Sequence, residues 1–183
     1  MPAIAELSRH ERGVLASSSF AQLTGELSLQ ERVSPAGMSV EYPAIRTRVF
    51  ISRGIPVEFR FRDLGQPLPS WFDTTLQGFA DLRALPQNWD SYGGKPTSYT
   101  ALNRGLRLLD WVMEPNASAP SVVPLSNGGL QLEWHRGGHD LEIIVNPEDE
   151  ARYYHYDARL DAEESGTVSE HRARIEELVA QIV

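Results

Sequence analysis

Residues 130–145 constrain the fold of this chain more than any other stretch. Leu130, Leu132 and Trp134 alternate with Gln131, Glu133 and His135; Leu141, Ile143 and Val145 return after Gly137-Gly138. A period of two marks strands buried on one face, and a Gly-Gly pair between two such runs marks a two-residue hairpin loop. A slip of one residue would turn every side chain to the opposite face, so the pattern sets the register. Arg136 then pairs with His139, His135 with Asp140, Trp134 with Leu141, Glu133 with Glu142 and Leu132 with Ile143. The apolar residues share one face. On the other, two glutamates lie directly opposite, about 5 Å apart at Cβ.

The flanking sequence extends this hairpin into a meander over residues 121–157. Val122 and Val123 lead into a turn at Ser126-Asn127-Gly128-Gly129, Asn146-Pro147-Glu148-Asp149 forms another, and residues 152–156 form an aromatic strand. Asp161-Ala162-Glu163-Glu164-Ser165-Gly166 is an acidic loop on this reading. Three helices are expected. One spans about 71–85, with Ser70 as N-cap, Asp73 in its first turn and Phe72, Leu76, Phe79 and Leu82 at helical spacing; Pro86 ends it. A second spans 98–113, with a Leu102, Leu106, Leu109 and Met113 stripe and Gly105 allowing close approach. A third spans 167–182, where the Thr167 to Glu170 spacing fits a capping box.

Upstream, Val57, Phe59 and Phe61 alternate with Glu58 and Arg60, and residues 48–52 form the hairpin partner across Arg53-Gly54-Ile55-Pro56. Pro56 fits an edge or the start of a strand. Residues 1–44 read as an arm that either packs on the body or extends to bind a partner, with a short helix over 3–15 and breaks at Ser17-Ser18-Ser19 and Ser34-Pro35-Ala36-Gly37. Helices and strands are segregated. The expectation is an α+β domain over 45–183: an antiparallel β-meander with helices packed on one face, plus an N-terminal strand pair and the extended arm. Phe79, Leu82, Trp89, Leu106, Leu109, Leu132, Trp134, Leu141, Ile143, Leu178 and Ile182 should form its core.

The 183 residues suffice for one good core. The absence of cysteine excludes disulfides, a thiolate nucleophile and cysteine-held zinc, and it suits a cytoplasmic location. Apolar runs fall short of the roughly 18 residues of a membrane span, and the N-terminus lacks the basic-then-apolar pattern of a signal peptide. With 25 acidic against 17 basic residues, the net charge is -8. That disfavours direct binding to a phosphate backbone; it serves solubility or fits a basic protein partner. P-loop, dinucleotide-fold, nucleophile-elbow and zincin patterns are missing, and no cofactor is expected.

Asn88-Trp89-Asp90-Ser91-Tyr92-Gly93-Gly94-Lys95-Pro96 joins the first two helices. Asp90 fits an Asx-turn, and Gly93 and Gly94 fit positive φ. Trp89 and Tyr92 either cover the end of the sheet or, with Lys95, form a recognition loop. This turn, Leu85-Pro86 before it, and the later Gly128-Gly129-Leu130-Gln131-Leu132-Glu133-Trp134 and Leu141-Glu142-Ile143 resemble a pattern shared by bacterial and phage-borne proteins of unknown function. Gly94 stands where that pattern has alanine. The resemblance covers residues 82–157. It implies a fold but no activity, and its distribution implies a defence, counter-defence or toxin-antitoxin setting.

Two further groups of residues carry chemistry. In Tyr153-Tyr154-His155-Tyr156, alternation puts Tyr153 and His155 on one face and Tyr154 and Tyr156 on the other. One such face suits an interface, unless the arm covers it. Glu133 and Glu142, assisted by His135 and Asp140, suit a divalent cation or acid-base chemistry. Alternatively they form a solvated face bridged by an arginine such as Arg152. Asp161, Glu163, Glu164, Glu148, Asp149 and Glu150 would be the phosphate stand-ins of a nucleic-acid mimic. His10 and His171 read as surface residues. The leading expectation is a non-catalytic macromolecule-binding protein, an accessory or inhibitor. The alternative is a metal-dependent hydrolase or nuclease using the Glu133/Glu142 pair.

Overall fold

The computed structural model describes residues 5–8, 44–62, 65–148 and 150–182. Its elements are β1 (Ala5–Ser8), β2 (Ile45–Ser52), β3 (Ile55–Arg62), α1 (Phe72–Arg83), α2 (Tyr99–Val112), β4 (Ser121–Pro124), β5 (Leu130–Arg136), β6 (His139–Val145), β7 (Arg152–Asp157), β8 (Ala162–Thr167) and α3 (Arg172–Ile182). A three-stranded antiparallel sheet has the order β1-β3-β2, and a five-stranded meander runs β4-β5-β6-β7-β8. The fold is α+β.

The β5–β6 register is the one that the alternation demands, from Leu132↔Ile143 through Arg136↔His139. Leu130, Leu132, Leu141 and Ile143 are fully buried. Gly137 and Gly138 have φ of 64° and 86°, the left-handed pair that matches strand twist in a two-residue hairpin. Arg53 and Gly54, at 50° and 74°, close β2–β3 in the same way. This loop is two residues shorter than the sequence suggested, because Ile55 and Pro56 already belong to β3. Pro56 lies outside the part of β3 that β1 covers, residues 58–61, so its missing N–H costs no bond on that side.

Helices α1, α2 and α3 pack on the core face of the meander, α1 against β4 and the other two against β5 and β6. The other side of α1 meets β2 and β3, where Phe61 and Phe72 stack edge to face at 5.2 Å. A β-carbon on Gly105 would lie 3.1 Å from Phe79 and 3.3 Å from Leu130, so α2 approaches both α1 and β5 closely here. No described helix is long and apolar enough to cross a membrane.

Five expectations need correction. Residues 162–167 are a strand, not an acidic loop; they pair Gly166 with Tyr153 and Glu164 with His155. Backbone pairing along β7 holds them, and this needs no apolar alternation. Helix α3 consequently begins at Arg172. Thr167 Oγ1 does donate to Glu170 Oε2, at 2.6 Å, but this bond closes the turn before the helix. Ser70 does not cap α1; Trp71 holds that position without a side-chain bond. Ser70 Oγ donates instead to the carbonyls of Pro115 and Ala117, tying the helix start to the chain beyond α2. Residues 5–8 are a strand rather than helix, because β3 offers them a free edge; residues 9–43 of the arm lie outside the described residues. Trp89, expected in the core, is half-buried.

Candidate functional site

The loop between α1 and α2 is held from within and from below. Asp90 Oδ1 accepts from the backbone N–H groups of Tyr92 and Gly94, both at 2.8 Å, and Oδ2 accepts from the Ser126 hydroxyl. These bonds favour the carboxylate, the Ser126 bond most, and hold its pKa below the usual range. Asn88 Oδ1 accepts from the Gly93 N–H at 2.7 Å, and the Asn88 N–H donates to the Gly94 carbonyl at 2.7 Å. Trp89 Nε1 donates to the Lys95 carbonyl at 3.1 Å. The base of the loop is fastened to the β4–β5 turn: Lys95 N–H donates to Ser126, Ser98 N–H to Gly128, and the Thr97 hydroxyl to Gly129.

This bonding holds Asn88 and Ser91 at φ of 64° and 66°, where side chains are disfavoured, and Gly93 at 91°. Gly94 is not in that region. It is glycine for another reason: the Asp90 carboxylate occupies the space of its missing β-carbon. At the tip stands Tyr92, 94% exposed, with Lys95 also exposed. Trp89 and Asp90, both singled out by the sequence, build the loop and hold Tyr92 in place.

The outer face of the five-stranded sheet carries Glu133, His135, Asp140, Glu142, Tyr154, Tyr156 and Glu163. Glu133 does lie opposite Glu142. Arg152 does not bridge them, since among the described residues it makes no ion pair with either glutamate. His135 joins Glu133 to Asp140 rather than to Glu142, with Nδ1 2.8 Å from Asp140 Oδ1 and Nε2 3.4 Å from Glu133 Oε2. Asp140 first, then Glu133, raises the His135 pKa. Both ring nitrogens thus face carboxylates in half-exposed surroundings, where such a pair adds little stability. Among the described residues no group of three His, Asp or Glu side chains is arranged to hold a metal ion. Tyr154 donates to Glu163 and Tyr156 to Asp161, each at 3.0 Å; these bonds raise both phenol pKa values.

Tyr153 and His155 face the other way and are 3% and 4% exposed. They cannot meet a partner at the surface, which corrects their reading as interface residues. A polar cluster surrounds His155: its Nε2 lies 3.1 Å from His139 Nδ1 and its Nδ1 3.2 Å from Glu164 Oε1. Arg174 clasps Glu164 from α3 at 2.7 and 3.0 Å and is the main cause of its lowered pKa. Glu164 is therefore an internal ion-pair partner, unsuited to mimicking a solvated phosphate. The sequence reading missed this cluster because it treated 161–166 as a loop; pairing those residues with 152–157 would have set Glu164 beside His155. Of the remaining acidic candidates, Glu148 and Glu150 are exposed, with Glu150 accepting from Ser169, and Asp149 lies outside the described residues. His171 is half-buried against the Tyr153 ring, and His10 lies outside the described residues.

Comparisons with protein-family models, with curated proteins and with solved structures find no match to this chain.

Proposed function

We propose that this protein is a non-catalytic binding protein that engages a protein partner through the loop carrying Tyr92. One observation carries the reading: an aromatic side chain 94% exposed at the tip of a loop whose backbone is bonded into place. Apolar rings in water are unfavourable, and residues held at positive φ cost of order 1 kcal/mol each. A connector between α1 and α2 requires neither. A tyrosine on a backbone that is already bonded into place loses less entropy on binding than one on an unfixed loop, and tyrosine is enriched where interface energy concentrates. The net charge of -8 and the carboxylates on the outer sheet face favour a protein over a nucleic acid.

A defence, counter-defence or toxin-antitoxin setting, in the role of accessory or inhibitor, is part of this proposal and rests on the resemblance alone. The test is co-purification from the native host. Wild-type protein should retain a stoichiometric protein partner, and Tyr92→Ala should lose it without a change in melting temperature. Equal retention by both proteins would refute the role of the loop. The hydrolase alternative has weaker support, because Glu133 and Glu142 lie on the open face of a sheet and the imidazole beside them is already engaged by two carboxylates.

A further inference from the structure

His155 is buried on β7, and both of its ring nitrogens are engaged. Nδ1 lies 3.2 Å from Glu164 Oε1 on β8, and Nε2 lies 3.1 Å from His139 Nδ1 at the start of β6. The two imidazoles are tilted by only 13° and their centroids are 5.3 Å apart. Nitrogens this close at that centroid separation set the rings edge to edge, in line with an N–H···N bond. Glu164 fixes which nitrogens carry hydrogen. Arg174 on α3 clasps it and holds its pKa below the usual range. An ionised carboxylate only accepts, so His155 Nδ1 donates to it. In a neutral ring the other nitrogen accepts, so His139 Nδ1 donates to His155 Nε2. His139 keeps its lone pair at Nε2.

This chain of bonds has room for one further proton. On His139 Nε2 it leaves the N–H···N bond intact, and the hydrogen between the rings can sit on either nitrogen. Its charge faces two carboxylates, Glu164 and Asp157, the latter 3.9 Å from His139 Nδ1. A second proton would put an N–H on both facing nitrogens, 3.1 Å apart with no acceptor between them, so the contact must open. The other groups around the pair do not relieve this. Arg136 on β5 lies opposite His139 and adds positive charge. Asp157 is held by the Arg159 N–H, and Glu177 binds the Arg174 guanidinium. The Tyr153 hydroxyl donates to Glu164, and the His171 ring turns to the Thr167 carbonyl.

We propose that His139 and His155 form an acid-operated latch: the pair holds one proton with the contact closed, and a second proton releases His139. His139 is the member placed to leave, since it begins β6 beside the Gly137-Gly138 loop while His155 is enclosed. Its release loosens the tip of the β5–β6 hairpin from the β7–β8 turn, where the Ala158 N–H donates to the Gly138 carbonyl at 2.8 Å. Protonation of clustered histidines is a general way to switch a packed contact. The latch is separate from the Tyr92 loop and does not depend on it.

The experiment is NMR of the full chain, nitrogen-labelled, from about pH 8 to about pH 5. It compares wild type with His139→Gln, whose amide can donate to His155 or accept from it and so keeps the contact in either protonation state. At the alkaline end both imidazoles should carry hydrogen on Nδ1. The two rings should respond together to the first proton, as coupled sites do. At the acid end the Ala158 amide of wild type should lose at least about tenfold of its protection, after correction for the intrinsic pH dependence of exchange. His139→Gln should retain it, and the α2 amides should stay protected in both proteins. Asp110 is common to the two and cancels from the comparison. An Nε2–H tautomer at either histidine, independent titration of the two rings, equal loss of protection in both proteins, no loss in wild type across this range, or loss that extends to α2 would overturn the proposal. The tautomers and the shared titration are read on wild type alone, so they decide it whether or not the variant folds.

Discussion

The carboxylate of Asp90 fills the space into which a side chain at Gly94 would grow; a β-carbon there would lie 2.6 Å from Asp90 Oδ2. The same carboxylate binds the Gly94 N–H and the Ser126 hydroxyl, so it cannot withdraw without breaking the bonds that shape the loop. Gly94→Ala should therefore destabilise the protein by about 1–3 kcal/mol. Adding it to Asp90→Ala should cost clearly less than adding it to wild type, because the two residues contest one volume. Urea unfolding of the four proteins in this cycle gives the coupling, and additive effects would contradict the geometry.

Tyr92 presents the reverse case. Its ring contributes little to the folded state because it stands in water. Tyr92→Ala should change stability by no more than about 0.5 kcal/mol, while Trp89→Ala, which removes a half-buried ring and its bond to the Lys95 carbonyl, should cost more. Thermal melts of the two variants would separate presentation from support. A large loss at Tyr92 would make it a structural residue.

Neighbours on β6 test the faces of the meander. Ile143 is fully buried, and Ile144 lies half-buried on the outer face. Ile143→Ala should cost about 2–5 kcal/mol and Ile144→Ala far less. Comparable costs in denaturant titrations would contradict the register from which the Glu133/Glu142 opposition follows.

Asp110 on α2 gives the protein a pH dependence of unusual sign. Its Oδ1 is buried and has no hydrogen-bond partner among the described residues, and burial raises its pKa to about 7. The folded state thus holds this proton more tightly than the unfolded chain, where an aspartate titrates near about 3.9. The associated stability is fully present below the unfolded value and is lost as pH rises through about 7. Asp110→Asn removes this dependence. The variant should gain stability relative to wild type between about pH 4 and pH 7, with the gain level above that range. Denaturation midpoints at several pH values would show it, and a constant difference between the two proteins would refute it.

The outer sheet face makes a prediction about metals. A cation that binds the native state must raise the melting temperature by mass action. On the binding-protein reading, millimolar Mg²⁺, Mn²⁺ or Zn²⁺ should produce no shift that Glu133→Gln abolishes. A shift that disappears in Glu133→Gln would restore the hydrolase alternative.

Local sequence determined the parts of this protein in which burial lies on one side of an element. The period of two placed Leu132 against Ile143, and with them Glu133 against Glu142; the helical spacing of Leu102, Leu106 and Leu109 marked α2, and Pro86 followed α1 as its backbone chemistry requires. The bonds of Asp90 to the next residues of its own turn were also legible, since an Asx-turn is local. Tertiary structure decided the rest. Strands β1 and β8 exist because β3 and β7 offer free hydrogen-bonding edges, which any backbone can satisfy without an apolar pattern. Ser70 abandons a cap for carbonyls some 45 residues away. Glu164 meets His155 and Arg174 only once β8 and α3 are docked. Alternation assigned Tyr153 and Tyr154 to opposite faces; only the packing of the helices determined that Tyr153 is buried and Tyr154 faces water. Periodicity records which residues share a face, while the element that covers that face is set by contacts distant in the chain.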